Sequence, residues 1–225
     1  MTAYRIPETI DAFLFDIDGT LYSNAEYGRV QSEVLIRELA LIRDEPYEAI
    51  AAAVEHIRSE HAAANGGAKT SLGKAMAALG VDIATSVSWR ARLIAPSAYL
   101  TVDPELRRAL SVLAAGISGR PARLVAVTNN PRSVGEATLE TLGVRDLFLR
   151  VVGLDDTMKS KPAAEPYLLA ASIAGTKPED CLSVGDRYDV DLAVPLELGM
   201  GAILVSGVAD VYALPSYLTA PHPPN

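Results

Sequence analysis

Three short apolar runs, each ended abruptly by acidic or turn-forming residues, constrain the fold of this 225-residue chain more than any other feature. Asp11-Ala12-Phe13-Leu14-Phe15-Asp16 runs into Asp18-Gly19-Thr20, Arg123 to Thr128 runs into Asn129-Asn130-Pro131, and Cys181-Leu182-Ser183-Val184 runs into Gly185-Asp186. Runs so short and continuously apolar read as strands buried on both faces, the pattern of a parallel sheet. Val151-Val152-Gly153 and Ala202-Ile203-Leu204-Val205 add two more candidate strands. Helical patterns over residues 103–115, 132–142, 164–174 and 189–199 alternate with them. The alternation predicts an α/β fold with a doubly wound, Rossmann-like parallel sheet. Asp103-Pro104-Glu105 reads as an N-cap followed by proline at the first helical position, and Gly143 and Gly175 read as helix stops.

Residues 22–99 interrupt this alternation. They carry no convincing strand and are rich in Ala, Glu, Arg and Leu. Val30, Val34, Leu35 and Leu39 mark one amphipathic helix, Ile50, Val54 and Ile57 a second, and Leu72, Met76 and Leu79 a third after a break at Asn65-Gly66-Gly67. The predicted organisation is therefore an α/β core, residues 1–21 and 100–225, with an inserted α-helical domain, residues 22–99. The tail Pro221-His222-Pro223-Pro224-Asn225 reads as a frayed end.

Charge narrows the range of partners. Twenty Lys and Arg against 28 Asp and Glu give a formal charge of −8, which argues against electrostatic binding of a nucleic acid polymer or an anionic membrane. A small phosphorylated metabolite stays compatible, because one local cation and a metal override net charge. No apolar run approaches the ~20 residues of a membrane helix, and no signal peptide is visible, so a cytoplasmic protein is expected. The lone Cys181 lies inside an apolar run and reads as a buried structural thiol. The three histidines, His56, His61 and His222, lack metal-ligand spacing.

The polar residues at the strand ends carry the functional signal, because open α/β sheets place their sites outside the carboxyl ends of the strands. Asp16 and Asp18 are two residues apart, so in extended backbone both side chains leave on the same side. Asp186, with Asp189 and Asp191 just after it, ends another strand. Carboxylates gathered at one edge repel unless a cation or a shared proton intervenes, and an oxygen-rich cluster of this kind suits Mg²⁺. Singly, each Asp also fits a turn or a helix cap.

Their order and context match a known pattern. Phe15-Asp16-Ile17-Asp18-Gly19-Thr20-Leu21 resembles the first motif of the haloacid dehalogenase superfamily, Asp-x-Asp-Gly-Thr. Val125-Ala126-Val127-Thr128-Asn129-Asn130 resembles the second, Lys161-Pro162 with Glu165-Pro166-Tyr167 the third, and Val184-Gly185-Asp186-Arg187-Tyr188-Asp189-Val190-Asp191 the fourth. The helical insertion after the first motif is similar to the cap of the subclass that carries it there. The resemblance implies that Asp16 is the nucleophile that forms an aspartyl phosphate, and that Asp18 is the general acid and base. It implies that Mg²⁺ is held by the Asp16 side chain, the backbone carbonyl of Asp18 and the Asp186 side chain. Thr128, the backbone N–H of Asn129 and Lys161 then bind the phosphate, with Asp191 as a supporting acid. Asp189 competes for that last place and Lys159 for the lysine. Arg187 departs from the superfamily's small hydroxyl residue at that position. Dehalogenases of the superfamily lack the acid two residues after the nucleophile, so Asp18 points to phosphoryl transfer.

The implied activity is Mg²⁺-dependent hydrolysis of a small phosphate monoester. A fainter resemblance, over Leu21-Tyr22-Ser23 and Leu100 to Leu106, is to the pyrimidine 5′-nucleotidase-like branch, which makes a nucleoside monophosphate a candidate substrate beside a phosphoglycolate-like metabolite. Tyr22, Asn24, Arg29, Tyr99 and the two histidines of the insertion are the candidate substrate contacts. A sugar-phosphate mutase of the same superfamily and a non-catalytic binding protein on the same scaffold are the alternatives.

Overall fold

A computed structural model describes residues 1–64, 70–117 and 119–220. The predicted break at Asn65-Gly66-Gly67 and the proline-rich tail lie outside them. The chain divides into two compact units, residues 1–24 with 95–225 and residues 25–94.

In the first unit, β1 (Thr2–Arg5) and β2 (Ala12–Phe15) precede the excursion into the second unit. That second unit is helical, with α1 (Ala25–Arg43), α2 (Tyr47–Ala64), α3 (Leu72–Ala78) and α4 (Ile83–Leu93). Leu35, Leu39, Ile50, Val54, Ala75 and Met76 are in its core, with Val34, Ile57, Leu72 and Leu79 partly buried against it, so most of the apolar positions that marked the three predicted helices pack there. The fourth helix starts where Asp82 accepts a hydrogen bond from Thr85 N at 2.7 Å, an N-cap that the sequence reading passed over.

The chain then returns through α5 (Pro104–Ala115), β3 (Arg123–Val127), α6 (Arg132–Thr141), β4 (Phe148–Val152), α7 (Leu154–Thr157) and α8 (Ala164–Ala174). It closes with β5 (Cys181–Gly185), α9 (Ala193–Glu197), β6 (Gly201–Leu204) and α10 (Val208–Thr219). The sheet order is β1-β6-β5-β2-β3-β4. The five predicted strands pair in parallel, and β1 adds an antiparallel edge against β6 that the sequence did not announce. Ala12 and Leu14 pack with Val125, Val127, Tyr167 and Ala170 on the α8 side of the sheet. Phe13 and Phe15 stack at 5.9 Å between centroids, and Phe15 meets Phe148 edge-on at 6.2 Å. Burial of alternate residues on opposite faces explains why β2 reads as an unbroken apolar run.

Cys181 is fully buried, and desolvation pushes its thiol up to about 12, in keeping with a structural role. Among the described residues no helix is long and apolar enough to cross a membrane.

Candidate active site

The register of the three central strands fixes where the polar residues fall. Phe15 pairs with Ala126 on one side and Val184 on the other, so the residues just beyond, Asp16, Thr128 and Asp186, emerge side by side at the carboxyl edge. Asp16 N donates to Val184 O at 2.9 Å, and Thr128 N to Val152 O at 3.0 Å, carrying the ladder up to the site.

Asp16 is only 8% exposed. Its Oδ1 accepts from Lys161 Nζ at 2.5 Å and its Oδ2 from Thr20 Oγ1 at 3.2 Å. Lys161, 3% exposed, donates also to Asp191 Oδ1 at 2.7 Å and to the Val127 carbonyl at 2.8 Å. Three acceptors match the three protons of an ammonium group, so the lysine is held as a fixed point charge. Its backbone is clamped as well. Asn129 Oδ1 accepts from Lys161 N at 2.7 Å, and Asn129 Nδ2 donates to Lys161 O at 3.3 Å. The Asn129 side chain therefore holds the lysine loop.

Asp191, 1% exposed, joins the cluster while Asp189 stays exposed. A short π-helical turn over Tyr188–Leu192 sets this orientation. Within it, Asp191 N bonds Arg187 O at 2.8 Å, and Arg187 N donates to Asp191 Oδ2 at 3.2 Å. Arg187 thus meets Asp191 through its backbone, with its side chain exposed. Lys159 is exposed, unlike Lys161.

Asp16, Asp186 and Asp191 each offer a carboxylate oxygen within 4.8 Å of one another. The Asp18 side chain, by contrast, turns to other partners: Tyr22 OH donates to its Oδ1 at 2.5 Å, and Asn130 Nδ2 and Thr128 Oγ1 donate to its Oδ2 at 2.9 and 3.3 Å. Asp186 Oδ1 is buried with no hydrogen-bond partner. A buried carboxylate oxygen left unpaired is costly. Three carboxylates, those of Asp16, Asp186 and Asp191, also gather at a single ammonium here. Burial is the main influence on Asp16 and pushes its carboxyl up to about 8; Lys161 opposes this, while Asp191 and Asp18 add to it. Burial, then Asp191, likewise raises Asp186. An all-oxygen donor set short of positive charge fits a hard divalent cation.

Glycine makes room for the cluster. Gly19 has φ +84°, and a Cβ there would sit 2.6 Å from Asp186 Oδ2. Gly19→Ala is expected to destabilise the protein by on the order of 1–3 kcal/mol through backbone strain, and the Asp186 carboxylate must also shift. The urea unfolding midpoint checks this, and an unchanged midpoint would refute it.

Several candidate substrate contacts are already engaged. Asn24 Nδ2 donates to Tyr99 O at 2.9 Å, Arg29 pairs with Glu33, and His56 lies 3.3 Å from Glu60. Tyr22 and Asn130 hold Asp18, roles invisible in spacing because their geometry depends on the turn and on a partner 112 residues away.

Neither histidine nor cysteine belongs to this cluster, so the fold and site define an α/β protein with carboxylate chemistry at the carboxyl edge of a mostly parallel sheet. The chain belongs to the haloacid dehalogenase-like hydrolase family, whose sequence profile matches residues 10–199. It is 34% identical over 122 residues to the phosphoglycolate phosphatase of Chromobacterium violaceum, covering 54% of this chain and 53% of that protein. With the phosphoglycolate phosphatase of Rhodospirillum rubrum it shares 30% identity over 87% of this chain and 79% of that protein. Its fold resembles the crystal structure of a HAD phosphatase from Thermococcus onnurineus, with a TM-score of 0.59 at 20% identity over 87% of this chain and 86% of that one.

Proposed function

We propose that this chain is a Mg²⁺-dependent phosphatase of small phosphate monoesters, acting through an aspartyl phosphate on Asp16. One observation carries the reading. Two carboxylates two residues apart stand in different environments, Asp16 against a buried lysine and an acid cluster, Asp18 against neutral donors. Different surroundings assign different tasks to like groups.

Asp16 attacks phosphorus while the bond to the leaving oxygen breaks and that oxygen takes the proton of Asp18. Asp18, now a carboxylate, removes a proton from the water that attacks the phosphorus, which releases inorganic phosphate and restores Asp16. Lys161 holds the nucleophile and offsets the repulsion between carboxylate and phosphate, and the Asn129 N–H donates to the transferring group, joined by Thr128 Oγ1 once its one proton turns from Asp18 to the bound phosphoryl. Asp16, Asp186 and the Asp18 carbonyl, with Asp191 beside them, would hold Mg²⁺, and the bound ion would supply the remaining charge neutralisation. Residues 25–94 are proposed as the cap that recognises the rest of the substrate.

Two relatives named phosphoglycolate phosphatase support a small phosphorylated acid as the first substrate to try. The test is phosphate release from phosphoglycolate, nucleoside monophosphates and sugar phosphates, with Mg²⁺ and with chelator. Release that requires Mg²⁺ is expected. Equal release in chelator would refute the metal requirement, and phosphoryl transfer between sugar positions without free phosphate would make the protein a mutase.

A further inference from the structure

We infer that Tyr22 is a positioning residue for Asp18, holding its carboxyl group in the orientation in which it exchanges a proton with the leaving group. The inference rests on the phosphatase reading above and deepens it. Its basis is the geometry of the turn that follows β2. Gly19 at φ +84° reverses the chain, Leu21 N bonds Ile17 O at 2.9 Å, and Asp18 and Tyr22 form an isolated parallel bridge. The turn thereby sets a hydroxyl four residues beyond each acid against it: Thr20 Oγ1 on Asp16 Oδ2 at 3.2 Å, Tyr22 OH on Asp18 Oδ1 at 2.5 Å.

The contacts to Asp18 divide between its oxygens. Asn130 and Thr128, from the end of β3, donate to Oδ2, and Tyr22 donates to Oδ1. Contacts at one oxygen set the position of a carboxyl group; contacts at both also set its plane. Tyr22 is itself held, being 5% exposed, and it lines a cavity of about 330 Å³ together with Tyr99, Asp103 and Tyr212.

Tyr22→Phe keeps the ring and removes the contact. The experiment compares kcat/KM of wild type and Tyr22→Phe, with Mg²⁺, on phosphoglycolate and on 4-nitrophenyl phosphate. The first expels an alkoxide that needs a proton; the second expels a stabilised phenolate that does not. Because kcat/KM reports steps up to formation of the phosphoenzyme, later hydrolysis does not enter. A loss of about tenfold or more on phosphoglycolate is expected, since small misplacements of a catalytic group cost up to about 10²-fold, with a loss under about threefold on 4-nitrophenyl phosphate. Asp18→Asn should give the same selectivity, larger. Equal losses on both substrates would make Tyr22 merely structural and overturn the inference, as would no loss on either, with the phosphatase reading intact in both cases. A wild-type protein inert on both substrates would overturn that reading and this inference with it.

Discussion

Asp16→Asn is expected to lose turnover by a factor on the order of 10⁴ or more, as removal of a nucleophile does in other enzymes, while folding as well as the wild type or better when metal is absent. Volume is conserved, and the new amide still offers an oxygen to Lys161 and an N–H to Thr20, the two groups that now bond the carboxylate. The stability follows chiefly from burial of the carboxyl. The Asp16 carboxyl is pushed from an ordinary value of 3.8 up to about 8, chiefly by burial. A group that binds its proton more tightly when folded contributes stability that is fully present below 3.8 and is lost as pH rises through about 8. Asparagine cannot ionise and escapes that loss. Urea unfolding at pH 9 in chelator should give Asp16→Asn a midpoint equal to or above the wild type, and Mg²⁺ should raise the wild-type midpoint more than that of the variant. Retained turnover would end the nucleophile assignment. A variant midpoint well below the wild type would show that the Asp16–Lys161 contact outweighs burial.

What the sequence conveyed and what it withheld have separable causes. Strands buried on both faces leave unbroken apolar runs, so β2, β3 and β5 were legible, and with them the positions of Asp16, Thr128 and Asp186 at their ends. Asp103 signalled the start of α5 because a side-chain cap is a local interaction, here accepting from Leu106 N at 2.9 Å. The strand β1 was not legible. Its residues are mostly exposed, so no alternation marks them, and its pairing with β6 joins opposite ends of the chain. Helix α10 carries Pro215 in its interior, a residue that ordinarily argues against helix. At the site, the choice between Asp189 and Asp191 turned on a π-helical turn that shifts side-chain direction from ordinary helical spacing. The partners of Asp18 come from the end of β3 and the turn after β2, and spacing along a chain carries no trace of such convergence. Motif order suggests roles; the folded chain shows which atom holds which.

Lys161→Met should be the mirror of Asp16→Asn, removing positive charge where it is already scarce. Methionine fills a comparable volume and offers no proton to Asp16 Oδ1, Asp191 Oδ1 or the Val127 carbonyl, all of which the ammonium now bonds. Breaking a buried ion pair from one side leaves an uncompensated charge and costs about 3–5 kcal/mol. At about 2–4 °C per kcal/mol for a chain of this size, the melting temperature should fall by roughly 6–20 °C. The deficit depends on pH in a definite direction. With the lysine gone, nothing opposes the effect of burial on Asp16, so its carboxyl stays protonated to higher pH than the wild-type value of about 8. Unfolded carboxyls titrate near 3.8, so each pH unit above that costs the variant stability over a wider range than it costs the wild type. Urea midpoints in chelator should therefore separate more at pH 9 than at pH 5. Activity should fall by about 10²–10³-fold, the cost of losing one donor to a developing charge. A variant as stable as the wild type at pH 9 would overturn this account and mean that the place of Lys161 in the fold owes more to Asn129 than to charge.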